Sequence, residues 1–220
     1  EFRRVLFRSS KDPQCAFHNK GKPGEAFDAL VKAVDAKPVI VSPKRTPVNL
    51  AVLYTGVSEA MYSSSMWGEL ERALADLQKG DGAGMLSLND QYYQRKSDGT
   101  YGNELEAFNA ISCIDDPGPK SVEESDKWTA EFLKVAPRLG PSFASGYGCV
   151  FWPARTDYRI KVTGKGAGPI LVVGTTGDSA TPLASSRKMA ETLEDGRLIV
   201  NNANRHTGYG SNDCVTSAVD

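Results

Sequence analysis

The sequence predicts an α/β protein in two unequal parts, a mostly helical stretch followed by two strands of a parallel sheet with their helices. Three observations carry this reading. Apolar residues recur at helical spacing from about residue 10 to 140. A continuous apolar run, Pro169-Ile170-Leu171-Val172-Val173, then breaks into the loop Gly174 to Pro182. Finally, a second short run, Leu198-Ile199-Val200, leads into another polar loop. Strand, loop, helix, strand, loop, helix is the order of a parallel sheet covered on both faces.

The helices follow in order. Residues 25–36 place Phe27, Leu30, Val31 and Val34 on one stripe. Thr46 and Pro47 suit a cap and first turn leading into Leu50, Leu53, Val57 and Met61. Ser65 opens a helix with Trp67, Leu70, Leu74 and Leu77, stopped at Gly80. Asp81-Gly82 turns the chain into a helix holding Met85, Leu88 and Tyr92. After the turn Ser97-Asp98-Gly99, residues 103–113 carry Leu105, Phe108 and Ile111. Ser121 with Glu124 forms a capping box for a helix containing Trp128 and Phe132. Each stripe reads as core packing. Past Pro153, residues 158–162 alternate like a short strand or linker, and Gly164 to Gly168 form a joint. Thr181 and Pro182 cap and open a helix lined by Leu183, Ala190 and Leu193 and ended by Gly196. Asp213 to Asp220 begins a last helix.

Composition narrows the function. The 220 residues suffice for one large domain or two small ones, and 40% hydrophobic with 24% charged residues is ordinary for a globular protein. A net charge of −1 gives no field to attract nucleic acid or an acidic membrane. No apolar run approaches the ~20 residues of a membrane-spanning helix. Cys15, Cys113, Cys149 and Cys214 lie far apart without a CxxC, which argues against a zinc knuckle and leaves disulfides and buried thiols both open. Residues 1–9, with three arginines and only Val5-Leu6-Phe7 between them, lack a signal-peptide core and read as an artefactual leader.

The chemistry lies at the strand ends. In open parallel sheets reacting groups collect beyond the carboxyl ends of the strands, and Asp178 and His206 follow consecutive strands there. Neighbouring parallel strands are about 4.8 Å apart, so the two loops can touch. A carboxylate can then accept the Nδ1 proton of the imidazole, fix its tautomer and stabilise the imidazolium. The plainer alternative is an Asx-turn or helix-cap acid beside a solvent-exposed histidine. A phosphate loop fits poorly, since no lysine follows the glycines and Asp178 would repel the anion. No cofactor or metal is called for.

The segments PILVVGTTGDSATP, RHTGYGSNDCVTSAVD, AFNAISCIDDP and GCVFWP together resemble the secreted tripeptidyl-aminopeptidase family of actinobacterial type, within the α/β-hydrolase fold, over roughly residues 12–220. That resemblance implies a helical lid at 10–160, the C-terminal part of the hydrolase core at 161–220, and a Ser…Asp…His triad in which Asp178 is the acid and His206 the base. It implies a serine exopeptidase acting on peptides with free N-termini, exported to the cell surface or beyond. No GxSxG occurs; GVSEA at 56–60 and SFASGYG at 142–148 lack the glycine pattern, so the nucleophile is expected outside a truncated chain. Arg205 stands where the family usually has glycine before the histidine, and Ser179 where it often has proline; a positive φ at Arg205 would strain the loop by ~1 kcal/mol. Asp115, with Asp116 second, is the candidate partner for a substrate ammonium. Cys113–Cys149 is the favoured disulfide of the three full pairings. A non-catalytic helical binding module, a proline iminopeptidase and an esterase are the alternatives.

Overall fold

The computed structural model describes residues 1–115, 118–143, 147–154 and 160–220. Its helical part runs α1 (Phe2–Lys11), α2 (Pro23–Ala36), α3 (Leu50–Ala60), α4 (Trp67–Leu77), α5 (Ala83–Tyr92), α6 (Glu104–Asp115), α7 (Val122–Val135), α8 (Gly140–Phe143) and α9 (Tyr147–Val150). The α/β part follows as β1 (Ile170–Thr175), α10 (Leu183–Thr192), β2 (Gly196–Asn201) and α11 (Asp213–Val219).

One hydrophobic core joins α1 to α5, with Phe17, Phe27, Leu53, Leu70, Leu74, Met85 and Leu88 fully buried. The expected stripes of α2 to α5 supply most of it, but Tyr92, expected on the α5 stripe, is exposed at the end of its helix. Gly56 lets α3 and α5 approach closely, since a Cβ there would lie 2.5 Å from Met85 Sδ. The cap of α3 differs from expectation. Val48 pairs with Val39 in an isolated bridge, which keeps the chain extended past Thr46 and Pro47. Asn49 is the cap instead, its side chain accepting from the Val52 amide at 3.0 Å.

Residues 2–11 belong to the folded unit, although composition alone set residues 1–9 aside. Phe2, Val5, Leu6 and Ser9 are buried at i, i+3, i+4 and i+7, and the arginines occupy the other face. The Phe2 and Phe27 rings meet edge to face at 4.7 Å, and Arg8 and Ser9 both bond the buried Glu71 carboxylate, at 2.7 and 2.9 Å. Too few apolar residues for a signal peptide are enough for one helical stripe.

The later helices depart from the core-packing expectation. Leu105, Phe108 and Ile111 on α6 are exposed, as are Trp128 and Phe132 on α7, because no described element covers those faces. The Ser121 cap is present: its hydroxyl accepts from the Glu124 amide at 3.2 Å, while Glu124 accepts from the Lys120 amide at 2.8 Å. Arg138 clamps this region to α2 through a two-pronged pair with Asp28, at 2.7 and 2.9 Å. A disulfide joins Cys113 on α6 to Cys149 on α9, with Cα atoms 5.0 Å apart; Cys15 and Cys214 are free thiols.

β1 and β2 pair in parallel, in the register Ile170↔Gly196 to Thr175↔Asn201. Helix α10 covers one face, where Leu183 and Ser186 close over Gly174. The opposite face is covered by described residues only in part: Gly208 closes over Val173 and Thr175, while Leu171 is 42% exposed. Of the extended stretch expected at 158–162, only Ile160 to Val162 is described, and it joins no strand. No described helix is long and apolar enough to cross a membrane.

Candidate active site

The strands end level, so the loops after Thr175 and Asn201 leave the same edge of the sheet. Backbone bonds then hold the loops together: Thr176 N–H to Asn201 O and Gly177 N–H to Ala203 O, each 2.9 Å. Gly177 permits this approach, since a Cβ there would sit 2.5 Å from Asn204 Oδ1 and 2.8 Å from Ala203 O. The structure thereby brings Asp178 and His206 into contact. His206 Nδ1 lies 3.0 Å from each carboxylate oxygen.

Asp178 is also the turn-forming acid of the plainer reading. Its Oδ1 accepts from the amides of Ala180 and Thr181 at 2.9 and 2.8 Å. Its Oδ2 accepts from the Thr181 hydroxyl and the Thr207 amide, both at 2.9 Å. The side chain is only 2% exposed, and that of His206 29%. Burial by itself would push the carboxyl up, but the Thr181 and Thr207 amides, the His206 ring and the Thr181 hydroxyl hold it down to about 2. An ionised carboxylate can only accept, so Nδ1 carries the proton and Nε2 is left as the basic nitrogen.

Thr181, expected to cap α10, instead spends its hydroxyl on the charged carboxylate, the stronger acceptor. Pro182 takes the cap position without a side-chain bond, and α10 ends at Thr192, one residue before Leu193. The strain feared at Arg205 falls elsewhere. Arg205 has no positive φ and bridges to Ser63, whereas Thr207 sits at φ 62° and so aims its amide at Asp178. Ser179, in the place of a proline, donates its hydroxyl to Met61 O at 3.1 Å.

The helical part presses directly on this site through residues 61–64, which sequence reasoning missed. His206 N–H donates to Tyr62 O at 2.7 Å, Ser64 N–H to Asn204 O at 3.0 Å, and the Tyr62 ring meets the imidazole edge to face at 5.2 Å. No local signal marks Tyr62. Thr181 and Thr207 were legible only as polar neighbours of the acid and base. Asp115 is the exposed last residue of α6, is not among the residues lining the large cleft described below, and is not brought to the dyad; Asp116 lies outside the described residues. Ser58, in the GVSEA look-alike, is inside α3 with its hydroxyl on Tyr54 O at 2.8 Å, which is no nucleophile elbow.

The depressed Asp178 carboxyl links the site to acid stability. The stabilisation is fully present above the ordinary carboxyl range near 3.8 and is lost as pH falls through about 2. It is worth on the order of 2 kcal/mol. The gap in urea midpoint between the native chain and Asp178→Asn should therefore narrow between about pH 5 and pH 2; a gap that stays constant would contradict the low value.

Known proteins resemble this chain over most of its length. The family model described as "TAP-like protein" matches residues 136–220. The chain is 36% identical to carboxylesterase B of Mycobacterium tuberculosis over 203 residues, 88% of this chain and 38% of the relative. It is 31% identical to serine protease Hip1 of the same organism over 215 residues, 90% of this chain and 41% of the relative. To the tripeptidyl aminopeptidase of Streptomyces lividans it is 24% identical over 184 residues, 79% of this chain and 33% of that protein. The chain thus spans roughly two fifths of the length of the first two relatives. Residues 136–220 thus carry a TAP-like α/β-hydrolase domain, and the acid and base joined across adjacent parallel strand ends lie inside it.

Proposed function

We propose that this chain supplies the acid and base of a serine exopeptidase that releases short peptides from free N-termini at the cell surface or outside the cell. The Asp178–His206 pair carries the reading. His206 Nε2 takes the proton of a serine hydroxyl as that oxygen attacks the scissile carbonyl, then returns it to the leaving amine; Asp178 holds the ring and stabilises the imidazolium. The sequence contains no GxSxG, so the hydroxyl comes from a serine outside these 220 residues. Residues 10–160 act as the lid over that site and 161–220 as part of the hydrolase core, which agrees with the contact of Tyr62 on His206. The names tripeptidyl aminopeptidase and serine protease among the relatives support peptide substrates.

An esterase is the second reading, favoured by the name carboxylesterase B. The test is the protein expressed from its coding sequence extended upstream of Glu1, given fluorogenic tripeptides, N-acetylated tripeptides, proline amides and short acyl esters, together with a serine-directed fluorophosphonate. Serine labelling with turnover restricted to free-amine tripeptides is the expected result. Turnover of esters alone selects the second reading. Absence of labelling would leave a non-catalytic helical binding module.

A further inference from the structure

A cleft of about 880 Å³ lies between α3, α5 and the start of α6, outside the residues that form the dyad. Its wall runs on from the active site: Tyr62 touches His206 at 5.2 Å, Tyr92 lies 6.3 Å from Tyr62, and Tyr93 5.2 Å from Tyr92. The charged side chains lining it are glutamates alone, Glu59, Glu104 and Glu106, with no lysine, arginine or histidine among the described lining residues. Glu59 is half-buried on α3, and among the described residues its carboxylate has no hydrogen-bond or ion-pair partner. A cleft lined by tyrosine rings and such a carboxylate has the chemistry that receives an ammonium group: ring faces attract the cation and the carboxylate neutralises it.

We propose that this cleft binds the protonated amino end of the substrate peptide, with Glu59 as its counter-charge and Tyr62 and Tyr92 as the ring faces beside it. The inference rests on the exopeptidase reading and gives it a site that the exposed Asp115 does not. Burial, and after it the charge of nearby Glu69, raise the Glu59 carboxyl above its usual range. An arriving cation relieves both, so a carboxylate that is costly when the cleft is empty becomes favourable when it is filled. Because Tyr62 touches the imidazole ring, a peptide anchored by its amine in the cleft would extend towards the dyad, and the distance between them would limit how many residues precede the cut.

Binding to the 220-residue chain tests this without requiring hydrolysis. Calorimetric or tyrosine-fluorescence titration with Ala-Ala-Phe amide and with its N-acetylated form should show the free amine bound about ten-fold or more tightly. Glu59→Gln should remove that preference, with circular dichroism confirming the fold, while Asp115→Asn should keep it. Equal binding of the two peptides by the native chain, binding of neither, or loss of the preference only in Asp115→Asn would overturn the proposal. Serine labelling and turnover are read in the separate hydrolysis test, so either idea can fail while the other stands.

Discussion

Asp178→Asn is expected to lower kcat of the proposed hydrolase by about 10⁴-fold, the scale on which a triad loses activity when its acid becomes an amide. The reason lies in the donors gathered on this carboxylate. Oδ1 takes the amides of Ala180 and Thr181, and Oδ2 takes the Thr181 hydroxyl and the Thr207 amide, with the His206 ring shared between them. An asparagine offers one acceptor oxygen and one NH2 group. Whichever way it turns, the NH2 meets donors, and His206 is driven to the tautomer whose Nδ1 accepts and whose Nε2 carries the proton. That ring cannot act as the base. The same clash strands at least one buried amide, so the 220-residue chain should also lose about 3 kcal/mol in urea unfolding at neutral pH. Less than ten-fold loss of turnover would show that Asp178 is a turn-former only. An unchanged urea midpoint would show that the donors find other partners.

Most of what positions this site was legible from local pattern. The apolar runs ending at Val173 and Val200 pointed to two parallel strands, and Asp178 and His206 are recognisable because chemistry collects at such ends. Helices α2 to α5 were readable for a similar reason: the stripes of Phe27, Leu53, Leu70 and Leu88 all point into one core. What escaped notice depends on contacts between residues distant in the chain. Nothing around Tyr62 announces that it will touch His206, and Glu59 looks like any polar residue of an amphipathic helix until the cleft is seen. α1 was hidden differently. Its arginines dominate composition, while the spacing of Phe2, Val5, Leu6 and Ser9 contained the helix all along. The opposite error arose on α6 and α7, where apolar spacing implied burial that no described element provides. Periodicity gives the direction of a face; only tertiary structure says whether anything lies against it.

Replacing Cys113 by Ser, or reducing the native chain with dithiothreitol, is expected to release α6 while leaving the dyad assembled. Cys113 is the one buried residue of α6, and Leu105, Phe108, Ile111 and Ile114 on the same helix are exposed. So little apolar surface is buried there that the helix has few contacts with which to offset its ordering entropy. The bond to Cys149, 36 residues away, supplies the missing constraint. For a loop of that size the chain-entropy model gives about 3–4 kcal/mol. Helix α6 can open without the rest of the chain, so the loss should appear locally as amide protection across 104–115 reduced by about two orders of magnitude or more. The strands at 170–175 and 196–201 pair with each other, while the disulfide joins α6 to α9, so the strands should keep theirs. Leu105 and Phe108 also wall the large cleft, so the same treatment should weaken binding of Ala-Ala-Phe amide while the His206–Asp178 contact persists in the NMR signal of the Nδ1 proton. Protection of α6 that survives reduction would mean that the helix is held by its packing, and the bond would then be a consequence of the fold and not a support for it.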